Sequence, residues 1–401
     1  MSLLSGKKIL LGISGGIAAY KSPLVVRLLK SQGAEVKIVM TPSAKDFVTP
    51  LTLSTLSGHP VYSSFTEQLN ENPVWNDHVE LGKWADLFLI APATSNTLSA
   101  MVHAKCNNLL IATYLSCTCP VYIAPAMDLD MYAHPANQKN IKELNRAGKK
   151  VLDVGEGFLA SGLHGKGRML EPEEIIRYIT EDIKAGLPLF GKKVLITAGP
   201  TFEPIDPVRF IGNHSSGKMG FALAEEAHQL GADVILITGP TALKASTSIN
   251  RYNVVTAQEM YQTVLQYYSE VDIAIAAAAV ADFKPRKVVR QKIKKHQGVQ
   301  SIELVNTTDI LAQMGRLKEK QFLVGFALET EDEKTNAIKK IKSKNLDAVV
   351  LNSLKDTGAG FSGDSNKVTY IDKNENTTLF ELKSKILVAK DIFSQILIQN
   401  A

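Results

Sequence analysis

The chain has 401 residues, too many for one hydrophobic core of ordinary size, so two domains are expected. Apolar residues make up 45% and charged residues 21%, values that exclude a disordered or fibrous chain. A net charge of +5 is modest for this length, no apolar run reaches membrane-spanning length, and no signal-peptide core opens the chain. These features predict a cytoplasmic protein with neither a membrane nor a nucleic acid as partner.

The first predicted strand is Lys8–Ile13, followed by the turn Ser14-Gly-Gly16 and a helix from Ile17 to about Lys30. Strands at Glu35–Met40, Asp86–Ala91 and Pro120–Ala124 follow, each separated by helical segments. Alternation of this kind predicts a parallel sheet with helices on both faces. A helix over Glu171–Ala185 and the segment Gly186-Leu-Pro188 read as the hinge, giving domains 1–188 and 189–401. The pattern then restarts with the strand Lys193–Ala198, a glycine-rich loop, a helix over Phe221–Leu230 and the strand Asp233–Thr238. Further strands are predicted at Asp272–Ala276, Phe322–Phe326 and Asp347–Leu351. A hairpin over Lys367–Asp372 and Thr377–Leu382 and a closing helix over Ser384–Gln399 complete the chain. The fold class is α/β with two Rossmann-like domains.

The three cysteines are Cys106, Cys117 and Cys119. Cys117-Thr-Cys119 has neither the Cys-x-x-Cys redox spacing nor a zinc spacing, so reduced thiols are expected. Seven basic residues and no acidic one lie between Lys284 and Lys295, without interleaved aromatics. That run suits a polyanionic small molecule better than nucleic acid; a solvated basic loop is the alternative.

The most informative segment is Ile211-Gly-Asn-His-Ser-Ser-Gly-Lys-Met-Gly220. A Gly/Ser/Asn loop that feeds a helix presents unpaired N–H groups and the positive end of the helix dipole, a phosphate site. Lys218 adds a cation and Asn213 an amide, while the Walker spacing is missing. Neither half carries a dinucleotide fingerprint. Gly12-Ile-Ser-Gly-Gly-Ile17 fails the spacing, and the second strand runs on into Met40-Thr41-Pro42 with no carboxylate. NAD is disfavoured, and a flavin mononucleotide suits the short first turn better.

Nearly the whole chain resembles the bifunctional bacterial family that joins a phosphopantothenoylcysteine decarboxylase to a phosphopantothenate–cysteine ligase in coenzyme A biosynthesis. In the first half the resemblance rests on Gly15-Gly-Ile-Ala-Ala-Tyr-Lys21, His78 before Trp84-Ala-Asp86, Ala91-Pro-Ala-Thr-Ser-Asn96, Pro125-Ala-Met-Asp-Leu-Asp-Met131 and Gly165-Lys-Gly-Arg-Met169. In the second it rests on Ala198-Gly-Pro-Thr201, Asp206-Pro-Val-Arg209, Asn213-His-Ser-Ser-Gly-Lys218, Ala278-Ala-Val-Ala-Asp282 and Lys292-Ile-Lys-Lys295. It implies a flavodoxin-like flavoprotein domain followed by a ligase domain. The implied substrates are 4′-phosphopantothenate, cysteine and CTP, with FMN and Mg²⁺ as cofactors and no assigned metal ligands. It also implies a homo-oligomer of flavin-domain trimers and ligase-domain dimers, up to a dodecamer.

The same resemblance assigns residues. Asn213 would hold an acyl-cytidylate and Lys292 assist its formation, with Arg209, Ser215, Gly217 and Lys218 around the substrate. Ala278 and Asp282 would face the nucleotide, although Asp282 also fits a turn cap. Phe326 fits base stacking or the core equally. Lys340 and Lys344, four apart on one helix face, would reach phosphates or complement the helix dipole. In the flavin half, His78 would be catalytic, and Ser14, Gly15, Gly16, Thr94 and Asn96 would contact FMN.

Three positions depart from the family pattern. Asp128 stands where an asparagine is usual, Asn107 where a carboxylate is usual, and Ser161 where a proton-donating cysteine is usual. A serine hydroxyl is a far weaker acid than a thiol. Two readings follow: a variant site with compensating changes, favoured because His78, the Gly-Gly turn and Arg168 are retained, or a decarboxylase-inactive flavin scaffold attached to a ligase.

Overall fold

The computed structural model describes residues 2–69, 72–294, 301–329, 331–353 and 363–400. Lys295, the last residue of the expected basic motif, lies outside them. The chain divides into two compact units at Ile183/Lys184, slightly ahead of the expected boundary.

In the first unit, β1 (Lys8–Ile13), β2 (Glu35–Met40), β3 (Val61–Tyr62), β4 (Leu87–Ala93), β5 (Val121–Pro125) and β6 (Lys150–Val151) form a parallel sheet of order β3-β2-β1-β4-β5-β6. The apolar runs follow from burial on both faces. Ile9, Leu11 and Ile13 enter a core with Val25 and Val26 of α1 (Ser22–Ser31) and Ile175 and Ile179 of α8 (Pro172–Ala185). Leu10 points the other way, with Leu98 of α4 (Ser95–Val102) and Leu110 of α5 (Leu109–Ser116). The remaining helices are α2 (Pro50–Ser57), α3 (His78–Trp84), α6 (Leu129–Ala133) and α7 (Pro135–Arg146). An antiparallel flap, β7 (Gly155–Phe158) and β8 (His164–Arg168), stands apart from the sheet. The predicted Ile17 helix opens instead with a 3₁₀ segment, Ile17–Lys21, before α1 begins.

In the second unit, β9 (Lys193–Ala198), β10 (Asp233–Thr238), β11 (Asn250–Asn253), β12 (Ile273–Ala276), β13 (Phe322–Glu329) and β14 (Ala348–Ser353) run parallel. The late hairpin, β15 (Ser365–Asp372) and β16 (Thr377–Ser384), adds two antiparallel strands at one edge, giving the order β11-β10-β9-β12-β13-β14-β15-β16. Helices α9 (Lys218–Gln229) and α13 (Lys385–Gln399) cover one face. Helices α10 (Ala257–Tyr268), α11 (Ile310–Leu317) and α12 (Glu333–Ser343) cover the other.

Helix α9 begins at Lys218, nearly a turn before the expected Phe221. Gly217 is its N-cap with φ +79°, a conformation that disfavours any side chain. Gly220 lies inside the first turn because a Cβ there would sit 2.5 Å from the Ala198 Cβ. The helix therefore approaches the end of β9 closely. Gly220→Val should lower stability by about 1–3 kcal/mol through overpacking, read as a drop in the denaturant midpoint of the full chain; an unchanged midpoint would show that the contact can relax.

Candidate active sites

In the first unit a cavity of about 600 Å³ opens over the carboxyl ends of β1, β4 and β5. Gly15, Gly16, Thr94 and Asn96 line it, as expected. A Cβ on Gly15 would collide with Ser43, so the turn tolerates only glycine there. Thr94 is the N-cap of α4 and its side chain does not cap the helix, leaving that helix end to present N–H groups at the cavity. Ser14 does not reach the cavity. Its buried hydroxyl donates to Pro92 O (2.7 Å) and accepts from Thr94 N (3.0 Å), so it ties the Gly15-Gly16 turn to the turn before α4.

Sequence reasoning left Lys21 and Glu171 without roles. Lys21 is buried beside the cavity, and its Nζ lies 2.9 Å from both Met169 O and Glu171 Oε1. Arg168, from the flap, donates to the same carboxylate oxygen at 2.7 Å. The Lys21 hydrogen bond, followed by the Lys21 and Arg168 charges, outweighs burial and holds Glu171 below the ordinary range. The carboxylate thus orients both cations at the base of the flap.

The three departures separate. Asp128 and Ser161 meet on the cavity wall, where the Ser161 hydroxyl donates to Asp128 Oδ1 at 3.0 Å and Leu129 N to the same oxygen at 2.8 Å. Asn107 is exposed, does not line the cavity, and its Oδ1 accepts from Asn108 Nδ2 at 2.9 Å. His78 is also absent from the cavity lining. It is the first residue of α3, whose N-terminus Asp77 caps, and its ring meets Phe65 and Trp75 edge-on at 6.3 and 6.4 Å. Among the described residues its buried Nδ1 has no hydrogen-bond partner, a costly state that a further group would relieve.

In the second unit two adjoining cavities, of about 390 and 350 Å³, share Ala278, Val280, Asp282, Phe326 and Lys340. They form one cleft over the carboxyl ends of β9, β12 and β13, the position that ligands take in open α/β sheets. Asn213, Ser215, Gly217 and Lys218 line the first cavity, and Lys344 lines the second. The N-cap of α9, Gly217, has no side chain, and the first turn of the helix lines the cleft. Ser215 accepts from Gly217 N at 3.3 Å, and Asn213 Nδ2 donates to Val280 O at 2.9 Å. The Ala277–Asp282 loop is braced from behind. Thr197 and Thr201 hydroxyls accept from Ala278 N and Ala281 N, while Thr307 donates to Ala281 O.

Lys340 donates to Phe326 O at 2.9 Å and Lys344 pairs with Asp309 at 2.7 Å, so both are held at the cleft. Sequence reasoning missed Asp309, Asn352 and Lys385, all of which line it. Among the described residues, buried Asn352 Oδ1 has no hydrogen-bond partner. Burial, with Lys218 nearby, lowers the Lys385 ammonium from its ordinary range. These residues stand alone in sequence, and only the fold collects them.

Two expected ligands stand outside the cleft. Lys292 is exposed on its loop and lines neither cavity. Arg209 pairs with buried Asp206 at 2.8 Å and donates to Ile293 O at 2.6 Å, so it anchors the basic loop. Burial alone would raise the Asp206 carboxyl. The backbone N–H groups of Val208, Arg209 and Ile293, with the Arg209 charge, outweigh it and hold the group low.

Residues 189–399 match the family described as DNA/pantothenate metabolism flavoprotein C-terminal domain, and residues 2–184 match the Flavoprotein family. The coenzyme A biosynthesis bifunctional protein CoaBC of Bacillus subtilis is 45% identical over 98% of this chain and 97% of its own length. The chain belongs to this bifunctional family. The Escherichia coli member is 42% identical, covering 90% of each chain. Another family relative, a cysteine/cysteine sulfinic acid decarboxylase from an unknown prokaryotic organism, is 52% identical over 87% of this chain and 99% of its own. Among the described residues no helix is long and apolar enough to cross a membrane.

Because Asp206 is depressed in the folded state, its contribution is full above the ordinary carboxylate range and fades as pH falls through the depressed value. Asp206→Asn should speed hydrogen exchange at the Ile293 amide, which donates to Asp206 Oδ2, and flatten the acid dependence of that exchange. Unchanged protection at Ile293 would show that the loop is held by other contacts.

Proposed function

We propose that the second unit ligates cysteine to 4′-phosphopantothenate through an acyl-cytidylate made from CTP, and that the first unit decarboxylates the product with FMN. The reading is carried by the second unit's cleft, which gathers Asn213, Ala278, Asp282, Phe326, Lys340 and Lys344 at one set of strand ends. A free carboxylate is a poor electrophile, and joining it to the α-phosphate of CTP with loss of pyrophosphate activates it for attack by the cysteine amine. The N-terminal turn of α9 and Lys218 hold negative oxygens, Lys340 and Lys344 face the triphosphate, and the Asn213 amide orients the acyl phosphate. Among the described residues no three His, Cys, Asp or Glu side chains cluster as a metal site. Mg²⁺ would therefore come chiefly on the phosphates, with Asp282 as a neighbouring carboxylate. Lys340→Met should cost roughly 10²-fold in ligase kcat/KM, with CTP as the substrate varied.

The Gly15-Gly16 turn and the open end of α4 fit the phosphate of FMN. Bound flavin supplies a reversible oxidation of the cysteinyl carbon that makes the α-carboxylate a leaving group. Within this site Lys21, Arg168 and Glu171 fix the base of the flap, and the Ser161 hydroxyl, held by Asp128 on the cavity wall, would face the substrate. His78 serves a cavity on a neighbouring copy in a homo-oligomer, which accounts for its unpartnered Nδ1 and its absence from the cavity lining of its own chain. Mixing His78→Asn with Asn96→Leu subunits, each inactive as decarboxylase, should restore part of the activity after reassembly. No recovery in a reassembled mixture would contradict the shared site.

Asp128 favours a second substrate reading. An ionised carboxylate accepts hydrogen bonds only, so it complements the ammonium of free cysteine, a group absent from the acylated product. The relative named for cysteine and cysteine sulfinic acid supports it. Supplying free cysteine and phosphopantothenoylcysteine together and following cysteamine and 4′-phosphopantetheine by mass spectrometry separates the readings. Asp128→Asn should shift turnover toward phosphopantothenoylcysteine, and unaltered preference would remove Asp128 from substrate choice.

A further inference from the structure

Outside both sites, Cys117 and Cys119 present a second kind of chemistry. Cys117 closes α5 as its C-cap, and the turn then enters β5. The shortened Cys-x-Cys spacing still brings the sulfurs to 3.0 Å, and both are free thiols that are only half-buried. The turn is held from outside the pair. Cys117 N donates to Tyr114 O, and α3 packs so closely that a Cβ on Gly82 would lie 3.0 Å from Ser116 O and 3.3 Å from the Cys117 Cα. Closing a disulfide needs the sulfurs at about 2.05 Å, a movement of about 1 Å from where they rest.

The two thiols are not equivalent. Hydrogen bonding from the Cys119 thiol, opposed by burial and aided by the Cys119 N–H and the Lys149 ammonium, brings Cys117 down to about 7. Lys149 itself is held over the Tyr114 ring at 5.4 Å from its centroid. Cys119 is pushed upward by its bond to Cys117, by burial, by the Cys117 charge and by Asp86. One sulfur is therefore a nucleophile near neutrality, and the other is a protonated resolving thiol beside it. Cys106, the remaining cysteine, is exposed and has no such partner within the pair.

We propose that Cys117 and Cys119 form a thiol–disulfide exchange site for small-molecule disulfides, with Cys117 attacking and Cys119 resolving. The Cys117 thiolate attacks one sulfur of the disulfide, whose S–S bond breaks and releases one thiolate. Cys119 loses its proton to solvent and attacks the Cys117 sulfur, releasing the second thiolate. The two thiolates take up the two protons lost by the protein. The protein dithiol is oxidised, the small disulfide is reduced to two thiols, and no other reactant is needed.

The test uses the full-length protein and glutathione disulfide, quenched with an alkylating agent and mapped by peptide mass. Wild type should lose two of its three alkylatable thiols, with the peptide holding Cys117 and Cys119 lighter by two hydrogens. The rate should rise through pH 7, following Cys117. Cys119→Ser should stop at a stable glutathione adduct on Cys117, whereas Cys117→Ser should leave Cys119 alkylatable. Oxidation confined to Cys106 in wild type, or a Cys119→Ser protein with glutathione on Cys106 and none on Cys117, would overturn the proposal.

Discussion

The structure depends on close approach between a helix end and a strand end, a contact that only glycine permits. Gly220 lets α9 settle against Ala198, and Gly217, in the left-handed region, turns the chain into that helix. The consequence is electrostatic: the first turn of α9, with the positive end of its dipole, lines the cleft above the sheet. In the first unit Gly15 plays the matching part against Ser43, beside the open end of α4. Both units thus place a glycine turn and a helix N-terminus at a cavity, with side chains arranged around them.

The side chains that surround these backbone sites are mostly committed to one another. Lys344 is held by Asp309, Lys218 by Asp364, and Lys21 and Arg168 by Glu171. Such pairs cost desolvation but remove rotamer freedom before a ligand arrives, so less ordering remains to be done on binding. Arg209 shows the same economy one step removed, since its pairing with Asp206 places the basic loop and not the ligand. The Ser161–Asp128 hydrogen bond ties the flap to the cavity wall in the same manner, and it joins two of the three positions that depart from the family pattern.

Much of the fold was legible because the parallel strands are buried on both faces and read as short Val/Ile/Leu runs, such as Lys193–Ala198. The start of α9 was misread because Gly217 and Gly220 look like loop residues until the packing against Ala198 is known. The cleft of the second unit was legible through Ala278, Asp282, Phe326, Lys340 and Lys344, each near a strand end or on one helix face. Ser14 and Arg209 were misassigned because a polar side chain in a ligand-binding motif can be satisfied internally, and tertiary contacts decide which occurs. Asn352 and Lys385 carried no local pattern at all. His78, expected at the flavin site, does not line the cavity of its own chain, because it opens α3 and packs against Phe65 and Trp75, a placement that sequence periodicity does not show.

The central claim is that one cleft activates a carboxylate by joining it to a nucleotide. It is tested most directly by omitting cysteine. Full-length protein given 4′-phosphopantothenate, CTP and Mg²⁺ should release pyrophosphate and hold an equal amount of the acyl-cytidylate, detected by mass spectrometry after rapid quench. Pyrophosphate that appears only once cysteine is added, with no acyl nucleotide at any time, would contradict the account.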